Sequence, residues 1–171
     1  MKDMDTKIDE KGMERLKSLI GMNLMAIGHD VFLKSTPGVF QRIELQTNDG
    51  FYYLDNPVEW RNEYFAQPDC VPCLHFAKAS SEREIADNMG FEDFQKRPVN
   101  EKITDVWIIQ DEAEILKSGG HYQNWKSTEG IVIETEARQY AFYKANVWFN
   151  ETILVYKGHD VISKLEPIEK H

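Results

Sequence analysis

The chain has 171 residues, 42% of them hydrophobic and 12% aromatic, with 29 acidic against 20 basic side chains and a net charge of −9. That profile is a globular one, long enough to bury a core without disulfides. It excludes a membrane-spanning helix, since no apolar run approaches the ~20 residues required. It also excludes a secretory leader, since Met1–Glu10 is charged, and a non-specific nucleic-acid binder, which needs basic side chains.

The first predicted element is a helix from about Asp9 to Ile20. Ile8, Met13, Leu16, Leu19 and Ile20 approximate one apolar face. Asp9 can cap its start and Gly21 can end it in a left-handed conformation. Short strands follow at Asn23–Ile27 and Val31–Leu33, with Gly28-His29-Asp30 read as the turn between them. Val39–Thr47 alternates strictly, with Ile43, Leu45 and Thr47 on one face. Asn48-Asp49-Gly50 is the clearest hairpin signal, because Asn, Asp and Gly tolerate positive φ, and Phe51–Leu54 is its return strand.

Asp55–Pro72 reads as a long aromatic loop and Cys73–Ala79 as a strand. Ser81–Glu84 has the pattern of a capping box opening a short helix that ends by Gly90, and Phe91–Asn100, which contains Pro98, reads as a connector. Strands are expected at Ile103–Ile109 and Ala113–Leu116, around an acidic turn Gln110-Asp111-Glu112. Lys117–Thr128, with Gly119-Gly120, reads as a loop. A hairpin over Ile131–Phe142, a central strand Thr152–Tyr156 and a closing strand Val161–Leu165 complete the chain.

The expected fold is therefore α+β, mainly antiparallel β in a barrel or sandwich, with an N-terminal helix and a short central helix. One compact domain is expected, or two β-rich lobes at about 21–80 and 103–168 joined by a helical connector. A hairpin unit repeats within it. Ile43–Thr47 through Tyr52 and Leu54 match Ile131–Thr135 through Tyr140 and Phe142 at a spacing of 88 residues. Internal duplication gives such an echo, and so does the restricted choice that period-two patterning imposes.

Cys70-Val71-Pro72-Cys73-Leu74-His75 is the most specific chemical motif. Cys-x-Pro-Cys resembles the redox motif of thioredoxin-like proteins over those four residues. There, however, the motif follows a strand and opens a long helix. Here it follows a proline-rich loop and precedes a predicted strand. The three side chains Cys70, Cys73 and His75 can also ligate zinc, with His29, His121, His159 or a carboxylate as the fourth donor of a tetrahedral site, although the usual second Cys/His pair at metal spacing is missing. The alternative is a pair of reduced cysteines in a reducing compartment. His29, His121 and His159 each sit beside Gly or Asp and read as exposed turn residues. Paired carboxylates such as Glu134 and Glu136 are too common in so acidic a chain to mark a catalytic pair. Ser118-Gly119-Gly120 lacks the lysine of a phosphate-binding loop, and no Gly-x-Ser-x-Gly elbow is present.

Trp107 falls in a strand and reads as core. Trp60, Tyr64, Phe65, Tyr122 and Trp125 fall in predicted loops, where large rigid rings supply contact area at low entropic cost. The sequence thus favours a cytoplasmic, non-enzymatic interaction protein that binds through these aromatic loops and an acidic surface. Its expected partner is a protein rather than nucleic acid, a basic one by charge, with no membrane and no predicted cofactor beyond a possible zinc. Edge strands permit a homodimer. The alternatives are a metal- or thiol-dependent enzyme, or a structural zinc site, centred on the cysteine motif, and a small-ligand-binding β-barrel.

Overall fold

The computed structural model describes residues 4–29, 39–40, 42–61, 69–80, 95–116, 122–144 and 153–161. Its elements in order are β1 (Met4–Thr6), α1 (Glu10–Ser18), β2 (Asn23–His29), β3 (Val39–Phe40), β4 (Arg42–Thr47) and β5 (Gly50–Asp55). There follow β6 (Val58–Arg61), β7 (Asp69–Pro72), β8 (His75–Ala79), β9 (Gln95–Leu116), β10 (Tyr122–Thr135), β11 (Gln139–Lys144) and β12 (Ile153–Gly158). The fold is α+β and mainly antiparallel.

The main sheet runs β3-β12-β11-β10-β9-β2-β4-β5-β8, with β1 added in parallel to β10. Among the described residues the sheet is open, with β3 and β8 at its edges. A separate two-stranded sheet pairs β6 with β7. The long β9 joins the halves. Its first part pairs with β2, ending at Asn23↔Lys102, and its second part pairs with β10 from Ile103↔Thr135 onward. Asn100, at φ 55, adopts the left-handed region just before the changeover, which Asn tolerates better than most residues.

Helix α1 starts as its sequence dictates. Asp9 caps it by accepting the Gly12 N–H at 2.7 Å. Glu10 lies in the first turn and Arg15 and Lys17 in the last, matching the helix dipole. Gly21, at φ +90, takes the chain out of the helix towards β2. Leu16 and Leu19 are buried in the main core with Leu24, Ile43, Leu45, Leu54, Phe76, Ile103, Ile131 and Phe142. Ile20, on the predicted apolar face, is exposed.

The echo in the sequence corresponds to a repeated four-stranded unit. Strands β2, β4, β5 and β8 form one copy; the second part of β9 with β10, β11 and β12 forms the other. In both hairpins the same positions pair, Leu45 with Tyr52 and Ile133 with Tyr140. Both carry a register shift at the same place. It falls between the Leu24↔Thr47 and Ala26↔Gln46 pairs in one copy, and between Ile103↔Thr135 and Asp105↔Glu134 in the other. The outer strands agree as well: Tyr52 and Leu54 face Lys78 and Phe76, as Tyr140 and Phe142 face Lys157 and Val155.

The turns share one device. The Thr47 hydroxyl accepts the Asp49 N–H at 3.1 Å and donates to the Gly50 carbonyl at 3.2 Å. The Thr135 hydroxyl accepts the Ala137 N–H at 3.3 Å and the Arg138 N–H at 3.1 Å, with the Arg138 carbonyl 3.0 Å away. The equivalent positions Asn23 and Lys102 pair with each other, so an approximate two-fold axis passes between them. The same axis relates the Leu24↔Glu101 pair to the Ile103 N–H···O=C Met22 bond of 2.8 Å.

Several elements depart from the sequence expectation. Gln95–Asn100, read as connector, is strand, and Gln110-Asp111-Glu112 continues β9 without a turn. Tyr122–Thr128, read as loop, opens β10, and the aromatic loop contains the β6–β7 hairpin. Gly28-His29 continues β2, and His29 is buried. Trp107 is 46% exposed, not core, because it lies on the sheet face opposite its core-facing neighbours Val106 and Ile108. Among the described residues β12 lies one strand from an edge, with the two-residue β3 outside it. The short central helix predicted after Ser81, the strand at Val31–Leu33 and His121 lie outside the described residues.

Candidate functional site

The two units differ in what covers their inner surface. In the first, α1 packs on β8. Gly12 brings the helix close to the Phe76 carbonyl. In the second unit the chain before Ile103 is the first part of β9, which is spent on pairing with β2. Over the equivalent surface of β11 and β12 there is a cleft of about 450 Å³.

Ile27, His29 and Tyr140 are its buried residues, and Pro98, Val99 and Val155 add apolar wall. Arg97, Arg138, Lys157 and Glu101 supply its charge. Glu101 is heavily engaged. It accepts the Thr135 hydroxyl at 2.6 Å and the Tyr140 phenol at 3.2 Å, and its other oxygen lies 3.2 Å from Arg138 Nε. Burial and the Glu101 charge push the Tyr140 phenol up to about 12, so it remains a donor. The Arg138 contact is an ion pair without hydrogen-bond alignment: the buried Nε–H has no acceptor among the described residues. Arg97 and Lys157 form no ion pair among the described residues.

One position explains the charge difference between the units. In the first, Lys78 is neutralised by Asp49 at 2.9 Å, and Asp49 also accepts the Tyr52 phenol at 3.1 Å. The Lys78 ammonium keeps the Asp49 carboxyl below its ordinary range. In the second unit the position of Asp49 is Ala137, so Lys157 lacks that carboxylate. The echo at a spacing of 88 residues contains this exchange, but only the fold shows that it borders a cleft.

The cysteine motif is divided between elements. Cys70 lies on β7, paired with Trp60 of β6, and its side chain lies outside the described residues. Cys73 is buried, with its N–H donating to the Pro57 carbonyl at 3.0 Å. His75, on β8, is half-exposed, and its Nδ1 lies 3.2 Å from Asp55 Oδ1. Asp55 also holds Arg42 at 3.0 Å, and the Arg42 guanidinium stacks 4.9 Å from the centre of the Tyr53 ring. The Asp55 hydrogen bond raises the His75 pKa, with burial opposing it. Cys73 and His75 border a smaller hollow of about 210 Å³ with Lys7, Ile8, Asp9, Leu74 and Phe76. No group of three or more His, Cys, Asp or Glu side chains is placed to hold a metal among the described residues.

Of the aromatic candidates, Trp60 lies on β6, and Tyr122 and Trp125 lie on β10, not in loops. Aromatic residues suit a pleated strand, and the intervening prolines and glycines disguised these strands as loop. Trp125 is flanked by Ala113 of β9 and Met4 of β1. The side chains of these three, and Tyr64 and Phe65 altogether, lie outside the described residues. No helix is long and apolar enough to cross a membrane among the described residues. No family model, curated protein or solved structure matches the chain.

Proposed function

We propose that this chain is a non-enzymatic binding protein whose ligand presents negative charge on an apolar body to the cleft between β2, β9, β11 and β12. One observation carries this reading. A chain of net charge −9 gathers Arg97, Arg138 and Lys157 around apolar walls, and two of these cations have no carboxylate partner among the described residues. Clefts of several hundred Å³ with apolar walls and a few convergent polar groups are the usual form of a binding site. Concentrated positive potential on an otherwise acidic surface selects anions and speeds their encounter. The buried Nε–H of Arg138 adds a donor that a ligand oxygen can satisfy. The cleft thus favours an acidic ligand, opposite in sign to the basic partner suggested by net charge.

Anilinonaphthalene sulfonate, an apolar dye with a single negative charge, tests the reading. It is expected to bind saturably with enhanced fluorescence. Affinity should fall about three- to tenfold in the Arg97→Gln/Lys157→Gln double variant, the range for two exposed charge contacts, and fall with salt. Equal binding by wild type and double variant would place the dye elsewhere and refute the assignment.

A further inference from the structure

We infer that the cleft receives an amphipathic α-helix of a partner protein, with carboxylates flanking its apolar stripe. This rests on the anion-binding reading of the cleft and names its occupant.

The first argument is the repeat. Tyr52, Phe76 and Lys78 of the first unit correspond to Tyr140, Val155 and Lys157 of the second. On the first set lies a helix of nine residues, with Leu16 and the cap residue Leu19 fully buried and Gly12 against the Phe76 carbonyl. The second set keeps the tyrosine and the lysine and retains an apolar side chain at the third position. Its surface is open among the described residues. The segment that corresponds to α1 cannot close it, because Gln95–Lys102 is committed to β2. Among the described residues, therefore, one copy of this surface is covered by a helix and the other is not.

The second argument is charge. α1 carries Arg15 and Lys17 in its last turn, and the lysine of its seat, Lys78, is neutralised by Asp49. At the second seat Ala137 replaces Asp49, and Arg97 and Arg138 are added. A helix with the charges of α1 would be repelled there. One that keeps the leucine spacing but bears Glu or Asp along its flanks would meet three cations. Helix-in-groove recognition takes this form, with apolar anchors at helical spacing and charged flanks setting partner choice.

The test uses the full chain and two synthetic peptides. One has the sequence of residues 8–21; the other carries Lys11→Glu, Arg15→Glu and Lys17→Glu. The acidic peptide is expected to displace anilinonaphthalene sulfonate, to gain helical circular dichroism on binding, and to bind at least about fivefold more tightly than its parent. Its affinity should fall by about that factor in Lys157→Gln and Arg97→Gln, both at exposed positions, and stay unchanged in Lys78→Gln. If both peptides bind alike, or neither displaces bound dye while octanoate does, the helix inference fails and a small organic anion takes its place. If the dye does not bind at all, the cleft reading itself fails. These two failures are distinct.

Discussion

Tyr52 and Tyr140 occupy the same position in the two units, and each phenol donates to a carboxylate of different origin. Tyr52 reaches Asp49, in the turn of its own hairpin, at 3.1 Å; Tyr140 reaches Glu101, on β9, at 3.2 Å. The fold preserves the need of a buried hydroxyl for an acceptor and changes its supplier. That change leaves Lys157 without the partner that Lys78 has.

The phenols should titrate late. Burial leads in raising both, with the adjacent carboxylate adding to it, and Tyr140 is pushed up to about 12. Tyrosinate absorbance followed against pH should show a late step that Tyr140→Phe removes. A variant whose titration overlays the wild type would disprove the buried Tyr140–Glu101 contact.

His75 links stability to pH in a defined direction. Its folded pKa is raised above the ordinary value of 6.5, first by the hydrogen bond to Asp55. Such a contribution is complete below the unfolded pKa and is lost as pH rises through the folded value. The side chain is half-exposed, so solvent screening keeps the effect small. The stability advantage of wild type over His75→Gln should shrink as pH climbs through and past the ordinary histidine range. An advantage that is constant with pH would argue that the Asp55 contact is absent in solution.

The two turn threonines should differ in cost. Thr47→Val removes a hydroxyl that bonds only its own turn, and about 1 kcal/mol is expected. Thr135→Val also strips a 2.6 Å bond from Glu101, so about 2 kcal/mol is expected. Urea unfolding of both variants compares them, and a larger loss at Thr47 would contradict the assigned role of Glu101.

Gly130 has no room for a side chain. A Cβ there would lie 2.8 Å from the Phe142 carbonyl oxygen and 2.9 Å from the Tyr143 ring. Backbone cannot yield as a side-chain tip can, so Gly130→Ala should cost about 1–3 kcal/mol. Thermal unfolding checks this, and an unchanged midpoint would mean that β10 and β11 sit further apart.

What the sequence revealed was local. Ile43, Leu45 and Thr47 alternate, and Asn48-Asp49-Gly50 turns, with Gly50 at φ +137, because each depends on nearest neighbours. The Asp9 cap was legible for the same reason. Pro98 hid the first part of β9. Proline lacks an N–H, yet this stretch has only β2 as a described neighbour, where such a residue is tolerated. Asp111 and Glu112 looked like a turn because nothing local states that β10 continues alongside them. The cleft was invisible, since residues 27, 97, 138 and 157 come together only through pairing across the sheet.

The division of β9 between two partners has a consequence for synthesis. β2 obtains β4 soon after it is made, but its other neighbour lies more than sixty residues downstream, at Gln95–Lys102. Until the ribosome has released that stretch, the nascent first unit carries an unsatisfied strand edge, the kind of surface that invites wrong pairing or chaperone capture. The hazard ends when β9 docks, and the same event delivers the strand on which the second unit is built.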